Sequence, residues 1–446
     1  MLNANPMEEK VSEFIPGIVK AQKQGVPLGM YSICSANRFV LEAGMLQAKA
    51  GGTAVCIEST SNQVNQFGGY IGMTPAAFVR FVESVAFDVG FPLDKIILGG
   101  DHSGPHVWKN ETSKTAMAKA RELVRDCVLS GYAKIHLDAS MRCADDAGDP
   151  HTPLKEEIVT DRTADLCQAA EAAHAERLDG SCPPLYVIGT EVPVPGGEQE
   201  AEVGLSVTKP EDVEGTIALA REAFLKRGLE SAWDRVIAVV VQPGVEFGDV
   251  SIFEYDRRKA RQLSLEIERH KGLVFEAHST DYQSREALKQ MVEDHFAILK
   301  VGPWLTYAFR EAVFALVAIE QEWLSARKGI TLSRVPETLE RAMLDNPVHW
   351  RKYYHGEEAY LHYARKYSYS DRSRYYWPQP QVQDALSRLL TNLSQYPAPL
   401  PLLSQYLPIQ YEAVRTGALS NRPKNLIYHK IMEVMKCYAD ACGMGC

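Results

Sequence analysis

Short apolar runs rich in β-branched residues recur along the first three quarters of the chain, and each is followed by a longer stretch with helical periodicity. Runs of this length bounded by turn residues are typical of buried strands. The alternation therefore predicts eight units of a strand followed by a helix. The predicted strands cover residues 28–34, 54–60, 95–102, 134–140, 186–192, 235–243, 273–279 and 296–302.

Strands that are apolar on both faces are typical of a parallel sheet covered by helices. Eight such units indicate an α/β fold of the (β/α)8 TIM barrel type. A doubly wound open sheet is the competing fold, but it usually carries a Gly-rich phosphate turn after its first strand, and CSANRFVLEAG has none. We therefore expect a barrel over residues 1–325. Beyond it the alternation of strands and helices stops, and we expect a C-terminal helical extension over residues 326–446 packed on the barrel.

Polar residues gather at the carboxyl ends of the predicted strands. Active sites of TIM barrels lie at that end, so this pattern indicates chemistry there. Alternate strand residues share a face, which predicts that Glu276 and His278 point the same way, as do His136 and Asp138. For any single residue, a hydrogen-bonded polar group that merely caps a strand is the alternative. The residues concerned are Glu58, Asp101, His102, His136, Asp138, Ser140, Thr190, Glu191, Gln242, Glu246, Glu276, His278, Ser279, Asp281 and Lys300.

Two histidines among these carboxylates, His102 and His278, favour a divalent metal site. Imidazole and carboxylate form the ligand set of Zn²⁺ or a similar ion such as Mn²⁺, and a catalytic site leaves one position open. Such an ion acts as a Lewis acid on a carbonyl and its neighbouring hydroxyl. Nearby acids, Asp101 first, would then move protons. Simple hydrogen bonding at the top of the barrel is the alternative for both histidines.

Two further segments favour recognition of a phosphorylated or hydroxylated ligand. The loop STSNQVNQFGGYIGMTP (59–75) is rich in amides, including Asn62 and Gln66, that suit hydroxyl groups, although it is equally typical of a well-bonded turn. Ser279, Thr280 and Asp281 follow the seventh strand, and Lys300 and Gly302 end the eighth. Barrels often hold a phosphate at that place.

The composition and the absence of some motifs argue against several classes of binding partner and cofactor. The formal charge of −9 and pI near 5.8 argue against a nucleic-acid or anionic-membrane surface. The nine cysteines show no regular spacing that would indicate disulfide pairs, which predicts a reduced protein. No apolar leader and no long apolar stretch occur, so we expect a cytoplasmic protein without membrane spans. Neither G-x-x-x-x-G-K-[ST] nor G-x-G-x-x-G occurs, so no nucleotide or nicotinamide cofactor is expected.

Two C-terminal segments receive structural interpretations. KYSYSDRSRYYWP (366–378), which contains Arg372 and Arg374, favours aromatic packing or a subunit contact. CYADACGMGC (437–446) has the wrong spacing for a zinc knuckle and is predicted to be a loose tail.

Many long motifs resemble the GatZ/KbaZ family, the Z subunit of D-tagatose-1,6-bisphosphate aldolase. The resemblance covers nearly the whole chain and implies a barrel of the class II aldolase type, which binds zinc with histidines and accepts a ketose phosphate. It is carried by SICSAN, ESTSNQVNQFGGY, ILGGDHSGP, KIHLDASM, VIGTEVPVPGGE, VVQPGVEF, FEAHSTDYQ, FAILKVGP, SDRSRYYWP and SQYLP.

The resemblance also implies roles for individual residues. Asp101 and His102 match the aldolase Asp-His pair, acid/base and metal ligand, and His278 matches a later ligand histidine. QPGVEF stands where these aldolases carry another ligand histidine, so Glu246 or Gln242 would substitute, and Glu246 is taken as the third ligand. Asp138 and Glu191 are further candidates for acid/base catalysis. The family's usual DHLGPN is DHSGPH here, which places a change beside the expected pocket.

Family membership leaves two functions open. Some relatives resemble sugar-phosphate 4-epimerases that interconvert tagatose and fructose 6-phosphates, and others are described as non-catalytic partners that stabilise a Y aldolase subunit. In a 2-ketose the C3 proton is acidic but the C4 proton is not, so inversion at C4 favours cleavage and re-formation of the C3–C4 bond by retro-aldol and aldol steps. A homo-oligomer is expected in either case.

Overall fold

The computed structural model describes residues 11–149, 152–189 and 205–445. Eight parallel strands close into a barrel in the order β1-β10-β9-β6-β5-β4-β3-β2, and β7 pairs antiparallel with β8 in a small separate hairpin. The predicted TIM barrel is confirmed, whereas the hairpin was not predicted. The strands are β1 Met30–Ile33, β2 Val55–Thr60, β3 Ile96–Ser103, β4 Lys134–Leu137, β5 Leu185–Ile188, β6 Val236–Val240, β7 Glu246–Phe247, β8 Ile252–Phe253, β9 Val274–Ala277 and β10 Phe296–Val301.

Helices surround the barrel and continue beyond it. Up to the helix after β10 they are α1 Val11–Lys23, α2 Arg38–Gly51, α3 Pro75–Val89, α4 Ser113–Leu129, α5 Glu156–Ala175, α6 Pro210–Lys226, α7 Glu230–Trp233, α8 Arg257–Ile267, α9 Arg285–Glu293 and α10 Pro303–Leu324. The later helices are α11 Val335–Asp345, α12 Glu358–Tyr367, α13 Pro380–Gln395, α14 Leu400–Tyr406, α15 Pro408–Arg415 and α16 Pro423–Ala441. Single 3₁₀ turns cover Leu93–Lys95, Pro105–Trp108, Pro347–His349 and Arg372–Tyr375. Within the described ranges, no helix combines the length and the apolarity that a membrane crossing needs.

Short polar side chains fix where several of these helices begin. Asn37 accepts hydrogen bonds from the first amides of α2, and Thr74, Thr112 and Ser284 do the same for α3, α4 and α9. Such caps satisfy amides that have no partner within the helix. Each of these four helices therefore starts at a residue that the local sequence specifies.

The barrel interior has an apolar layer below and a charged layer above. Met30, Val274 and Ile298 belong to an inner apolar cluster, which also contains Ile15 and Ile18 of α1. Two residues further along the same strands stand Ser32, Glu276 and Lys300. Because alternate residues share a face, each strand changes from apolar to polar along its inward side as it approaches its carboxyl end.

The C-terminal extension is built into the fold. Helix α16 packs against α2, α9 and α10, and the Tyr438 hydroxyl donates a 2.7 Å hydrogen bond to the carbonyl of Thr280. The amide of Gly29 donates to the carbonyl of Cys442. The prediction of a loose tail at residues 437–446 was therefore wrong up to residue 445, because its apolar residues complete the buried face of α16. The boundary at residue 325 stays a prediction.

Candidate active site

The charged layer is a network of buried ion pairs across the barrel. Lys134 Nζ lies 2.8 Å from Glu58 Oε1 and 2.6 Å from Glu276 Oε2. Lys300 Nζ contacts Glu58 and lies 3.0 Å from Asp101 Oδ1. All five side chains are almost fully buried. Buried charges are stable only when they are paired. The charged side chain on each of these strands therefore depends on an oppositely charged side chain from another strand.

Gly99 makes this network possible. Glu58, Gly99 and Lys134 are neighbours in the strand register. A Cβ on Gly99 would lie 2.7 Å from Glu58 Cγ, closer than real side-chain contacts allow. The glycine before the Gly100-Asp101-His102 sequence therefore leaves the space through which Glu58 reaches Lys134.

Three histidines form a nearly equilateral triangle above the lysines. The ring centroids of His102 and His136 are 5.3 Å apart, those of His102 and His278 are 4.9 Å apart, and those of His136 and His278 are 5.2 Å apart. They come from the ends of β3, β4 and β9, and all three are buried. Two of them, His136 and His278, offer nitrogen atoms that converge with two carboxylates, whereas His102 lies beside this group and is not part of it.

Each histidine also lies beside a carboxylate. His102 Nδ1 lies 2.9 Å from Asp138 Oδ2, and His136 Nδ1 lies 3.3 Å from Asp101 Oδ1. His278 Nε2 lies 3.0 Å from Glu276 Oε1. Metal-binding histidines typically give one ring N–H to such a partner, which fixes the tautomer and orients the other nitrogen.

The pKa shifts follow from burial and from these partners. Burial alone would raise the pKa of Asp101, but Lys300, His102 and His136 hold it well below its usual range. Burial would also raise the pKa of Glu276, which Lys134 and Lys300 instead hold low. Burial lowers the pKa of His278 to about 4, against the opposing effect of Glu276. For His102, Asp101 and Asp138 outweigh burial and raise the pKa.

Charge balance supports a divalent cation at this place. Glu58, Asp101, Asp138 and Glu276 provide four carboxylates, against two ammonium groups from Lys134 and Lys300. With neutral imidazoles, as metal ligands must be, these ionised groups carry two negative charges in excess. A buried excess of charge is unfavourable unless it is compensated. An ion of charge +2 would compensate it.

The donor set fits a divalent metal. One atom each from Asp101, His136, Glu276 and His278 lie within 4.8 Å of one another, and all four side chains are buried. His136 Nε2 is buried without a hydrogen-bond partner. His136 Nδ1 lies 3.3 Å from the His102 amide, from which it can accept, and 3.3 Å from Asp101 Oδ1, to which it can donate. The tautomer that donates Nδ1–H to Asp101 is the one that leaves the Nε2 lone pair for an ion. The buried His/Asp/Glu cluster is thus compatible with a divalent metal.

The structure brings together some of the predicted site residues and adds others. Asp101, His102 and His278 converge as expected, while His136 and Glu276 join them although they were not predicted as ligands. Strand alternation was the available signal, because it places His136 on the same face as Asp138 and Glu276 on that of His278. Glu246 lies in the β7–β8 hairpin, where Oε1 accepts from the amide of Phe247 at 2.9 Å, and is not one of the four clustered donors. Glu191 and Thr190 lie outside the described residues.

A cavity opens directly above Asp101, His102 and His278 and is lined by the predicted binding residues Asn62, Ser279, Asp281, Lys300 and Gly302. Two predicted residues point elsewhere. The Thr280 hydroxyl donates to the carbonyl of Lys300 at 2.6 Å, and Gln66 Nε2 donates to the carbonyl of Lys119 at 2.9 Å. Their assignments as substrate ligands stay predictions.

The amides at the start of α10 already have an anionic partner. Gly302 N–H and Trp304 N–H donate to Asp281 Oδ1 at 3.0 Å and 2.8 Å. Burial raises the pKa of Asp281 to about 6, although these two amides lower it. A phosphate at Gly302, as predicted, would have to displace this carboxylate.

The C-terminal extension completes the cavity wall. Arg374 and Tyr375 line it together with the barrel residues. Arg374 donates to the carbonyls of Ser370 and Asp371 and, at 3.0 Å, to the Tyr375 hydroxyl. The prediction that this segment serves only aromatic packing or subunit contact was incomplete, since only the folded chain shows that its turn covers the barrel mouth.

Two cavity residues have a strained backbone. His102 has φ 47° and Ser279 has φ 52°, a left-handed conformation that residues other than glycine seldom adopt. Such strain persists where surrounding contacts hold it, and it concentrates at functional sites. His102 lies at the end of β3, and Ser279 follows β9.

A family model described as D-tagatose-1,6-bisphosphate aldolase subunit GatZ/KbaZ-like matches residues 15–443. The chain belongs to this family. A solved structure described as a probable tagatose 6 phosphate kinase from Sinorhizobium meliloti 1021 shares 42% identity and a TM-score of 0.84, covering 93% of this chain and 100% of its own. The family is thus one of aldolase subunits, and its model spans both the barrel and the C-terminal helices.

Two more distant solved structures are aldolases. A fructose-bisphosphate aldolase from Campylobacter jejuni has 14% identity and a TM-score of 0.45, with 86% of this chain and 92% of that chain covered. The YdjI aldolase from Escherichia coli K12 has 10% identity and a TM-score of 0.41, with 84% and 94% covered. Because the sequence identities and TM-scores are this low, these two structures say nothing about the activity of the GatZ/KbaZ-like chain. Its activity is inferred from the residues of its own site.

Proposed function

We propose that this chain is a metal-dependent enzyme of tagatose or galactitol breakdown that acts on a ketohexose phosphate. The reaction that fits best is 4-epimerisation of D-tagatose 6-phosphate to D-fructose 6-phosphate. The observation that carries the proposal is the triangle of carboxylate-paired histidines, His102, His136 and His278, above a buried excess of negative charge. Zn²⁺ is the first candidate ion and Mn²⁺ the second.

Inversion at C4 needs a route that avoids direct removal of the C4 proton. Cleavage of the C3–C4 bond gives a three-carbon enediolate and an aldehyde. Rotation of the aldehyde and re-addition of C3 to its other face invert C4, with no net change in atoms or electrons. When bound, the ion would act as a Lewis acid on the ketose carbonyl and its neighbouring hydroxyl.

The chain's own residues would move the proton and hold the oxygens. Asp101, kept ionised by Lys300, lines the cavity and would accept the C4 hydroxyl proton as the bond breaks and return it on re-addition. Lys300 would place positive charge near the enediolate oxygens. Glu191 remains a second candidate for this proton transfer. Asn62 and Ser279 would bind the sugar hydroxyls.

A second function has its own support. The matching family is described as an aldolase subunit, which favours an accessory role beside a Y aldolase subunit. In that case the polar site would bind a ligand or stabilise a partner without turning over the sugar alone.

Carbon NMR of D-tagatose 6-phosphate with the purified chain separates these functions. We expect fructose 6-phosphate to appear with Zn²⁺ or Mn²⁺ and to stop appearing after chelation. His136→Asn should abolish the conversion and lower the bound metal measured by elemental analysis. His355→Asn, which changes an exposed histidine, is the matched control.

The opposite result would favour the accessory role. No conversion by the chain alone, together with faster or longer-lived cleavage of D-tagatose 1,6-bisphosphate when a Y aldolase is added, would overturn the epimerase. Retention of full metal content by both His136→Asn and His278→Asn would overturn the ligand assignment.

A further inference from the structure

A second recess lies beside the active-site cavity, and the two share Asn62, Tyr70 and Tyr375 in their walls. Its volume is about 300 Å³, at the lower end of pockets that hold small molecules. One wall comes from the segment after β3, and the other comes from the segment between α11 and α13. We call it the basic recess.

Three of the side chains that line the basic recess are cationic. Of the described residues that line it, none is acidic. Lys109 and Lys352 are exposed at its edge, while Arg372 is 2% exposed. His106 and His349 lie between them. A concave surface with one sign of charge concentrates ions of the opposite sign.

Arg372 has the surroundings in the recess that best suit an anion. Its guanidinium carbon lies 3.3 Å from the centroid of the Tyr353 ring, and its Nε is buried without a hydrogen-bond partner. No carboxylate of the described residues forms an ion pair with it. Its guanidinium also hydrogen-bonds to the Tyr375 side chain, and its planar donors suit a phosphate.

The recess also acts electrostatically on its neighbours. Burial lowers the pKa of His349, and Arg372, Arg374 and Lys352 lower it further. For Tyr375, whose pKa burial alone would raise, Arg374 and Arg372 lower it instead. Both effects are those of positive potential in the space between these side chains.

The phosphate position predicted from the sequence, at the start of α10, suits an anion less well than the basic recess does. At the start of α10 the Gly302 and Trp304 amides already donate to Asp281, so an incoming dianion would meet a carboxylate. In the basic recess it would meet cations, hydroxyl groups and amides beside two valines, and no carboxylate of the described residues. The same ligand can have its carbon chain in the active-site cavity, because the two spaces adjoin at Asn62, Tyr70 and Tyr375.

We propose that the basic recess binds the terminal phosphate monoester of the substrate while the reacting carbons lie at the histidines. This inference rests on the proposed function for the identity of the substrate, but the anion site itself follows from Arg372, Lys109 and Lys352. The C-terminal extension would then supply the group that distinguishes a phosphorylated ketose from the free sugar.

The test is isothermal titration of the chelated protein with inorganic phosphate, D-tagatose 6-phosphate and unphosphorylated D-tagatose. Chelation removes binding of phosphate to a metal. We expect Lys109→Gln/Lys352→Gln to weaken binding of both phosphorylated ligands about tenfold or more and to leave free tagatose unchanged. Lys259→Gln/Lys328→Gln removes two exposed lysines elsewhere and should behave as wild type.

Equal binding of phosphate by wild type and the Lys109/Lys352 double variant would overturn the proposal. A nucleotide phosphate is the alternative source of the same anion. If ATP binds more tightly than D-tagatose 6-phosphate and loses affinity in the double variant, the recess is a nucleotide site and the substrate assignment is overturned.

The recess and the proposed reaction can fail separately. If D-tagatose 6-phosphate binds through the two lysines but wild type does not convert it, the epimerase fails and the anion site stands. If wild type converts it and the double variant shows unchanged KM and kcat, the recess proposal fails and the epimerase stands. A raised KM with nearly unchanged kcat supports both.

Discussion

At the scale of single residues, the site depends on pairs in which one side chain orients another. Asp138 illustrates this. The sequence made it a candidate acid/base, but in the structure its Oδ2 lies 2.9 Å from His102 Nδ1 and its Oδ1 accepts from the Ser140 hydroxyl at 2.6 Å. Both oxygens are engaged, so Asp138 is placed to hold the imidazole of His102.

Asp138→Asn tests this positioning role. The amide can still accept from one neighbour but carries no charge to favour the correct tautomer of His102. We expect metal affinity to fall roughly 10–100-fold, the usual effect of losing such a partner, as measured by competition with a chromogenic chelator. Asp161→Asn, at an exposed ion pair with Arg227, is the control. Unchanged affinity in Asp138→Asn would show that His102 needs no such orientation.

Burial of Asp281 gives the stability of the fold a pH dependence. Its pKa of about 6 in the folded chain exceeds the unfolded value of about 3.9. A raised pKa stabilises the fold below the unfolded value, and this contribution is lost as pH rises through 6. The free energy of unfolding of wild type, relative to Asp281→Asn, should therefore fall by about 2 kcal/mol between pH 4 and pH 7.

Urea unfolding of both proteins across this pH range measures the effect. Asp256→Asn serves as a control of opposite sign, because hydrogen bonds from Arg258 lower the pKa of Asp256. Parallel pH profiles for wild type and Asp281→Asn would contradict the assignment.

At the scale of elements, helix α16 supports the loop that follows β9 and contains His278 and Thr280. Helix α16 reaches Thr280 through the Tyr438 hydroxyl, which donates to the Thr280 carbonyl at 2.7 Å. Thr280 lies two residues after His278 and in turn donates to the Lys300 carbonyl at 2.6 Å. A residue from the end of the chain thus fixes the ends of β9 and β10 together.

Tyr438→Phe should weaken this support. The substitution keeps the ring, which is fully buried, and leaves the Thr280 carbonyl without its donor. Loss of a buried partner costs about 1–3 kcal/mol, and we expect that decrease in the free energy of unfolding. Tyr363→Phe, at a ring that is 41% exposed, should change it by less than about 0.5 kcal/mol. Equal stability of the two variants would mean that the hydrogen bond contributes nothing.

At the scale of the whole molecule, the buried charges predict that a divalent cation would stabilise the fold. The barrel centre holds more carboxylates than ammonium groups, and mutual repulsion of the excess opposes folding. An ion that binds only the folded chain stabilises it by mass action, about 2.7 kcal/mol at a concentration 100 times its Kd.

Metal removal should therefore lower the unfolding temperature. We expect chelation to reduce the midpoint measured by calorimetry, and Zn²⁺ or Mn²⁺ to restore it. In His102→Asn/His136→Asn, which lacks two imidazoles, added metal should have little effect. Identical midpoints for chelated and metal-loaded wild type would argue against an ion among these side chains. Sedimentation of the same samples would test the expected homo-oligomer.

The sequence by itself determined the barrel and most of the residues at its mouth. Strand alternation and apolar runs are local properties, because a strand must be apolar where it is buried. Eight successive units of a strand followed by a helix are compatible with few folds. Asp101, His102, His278 and Lys300 could be found because each stands at the polar end of such a run.

Tertiary structure decided which of these residues meet. The pairing of His136 with Asp101, and of Lys134 with Glu276, depends on barrel closure and strand register, which no local pattern encodes. The closure of the cavity by Arg374 and the basic recess at Arg372 depend on where a helical segment far along the chain packs. Contacts between distant segments follow from the packing of whole elements, and that packing is a property of the folded chain.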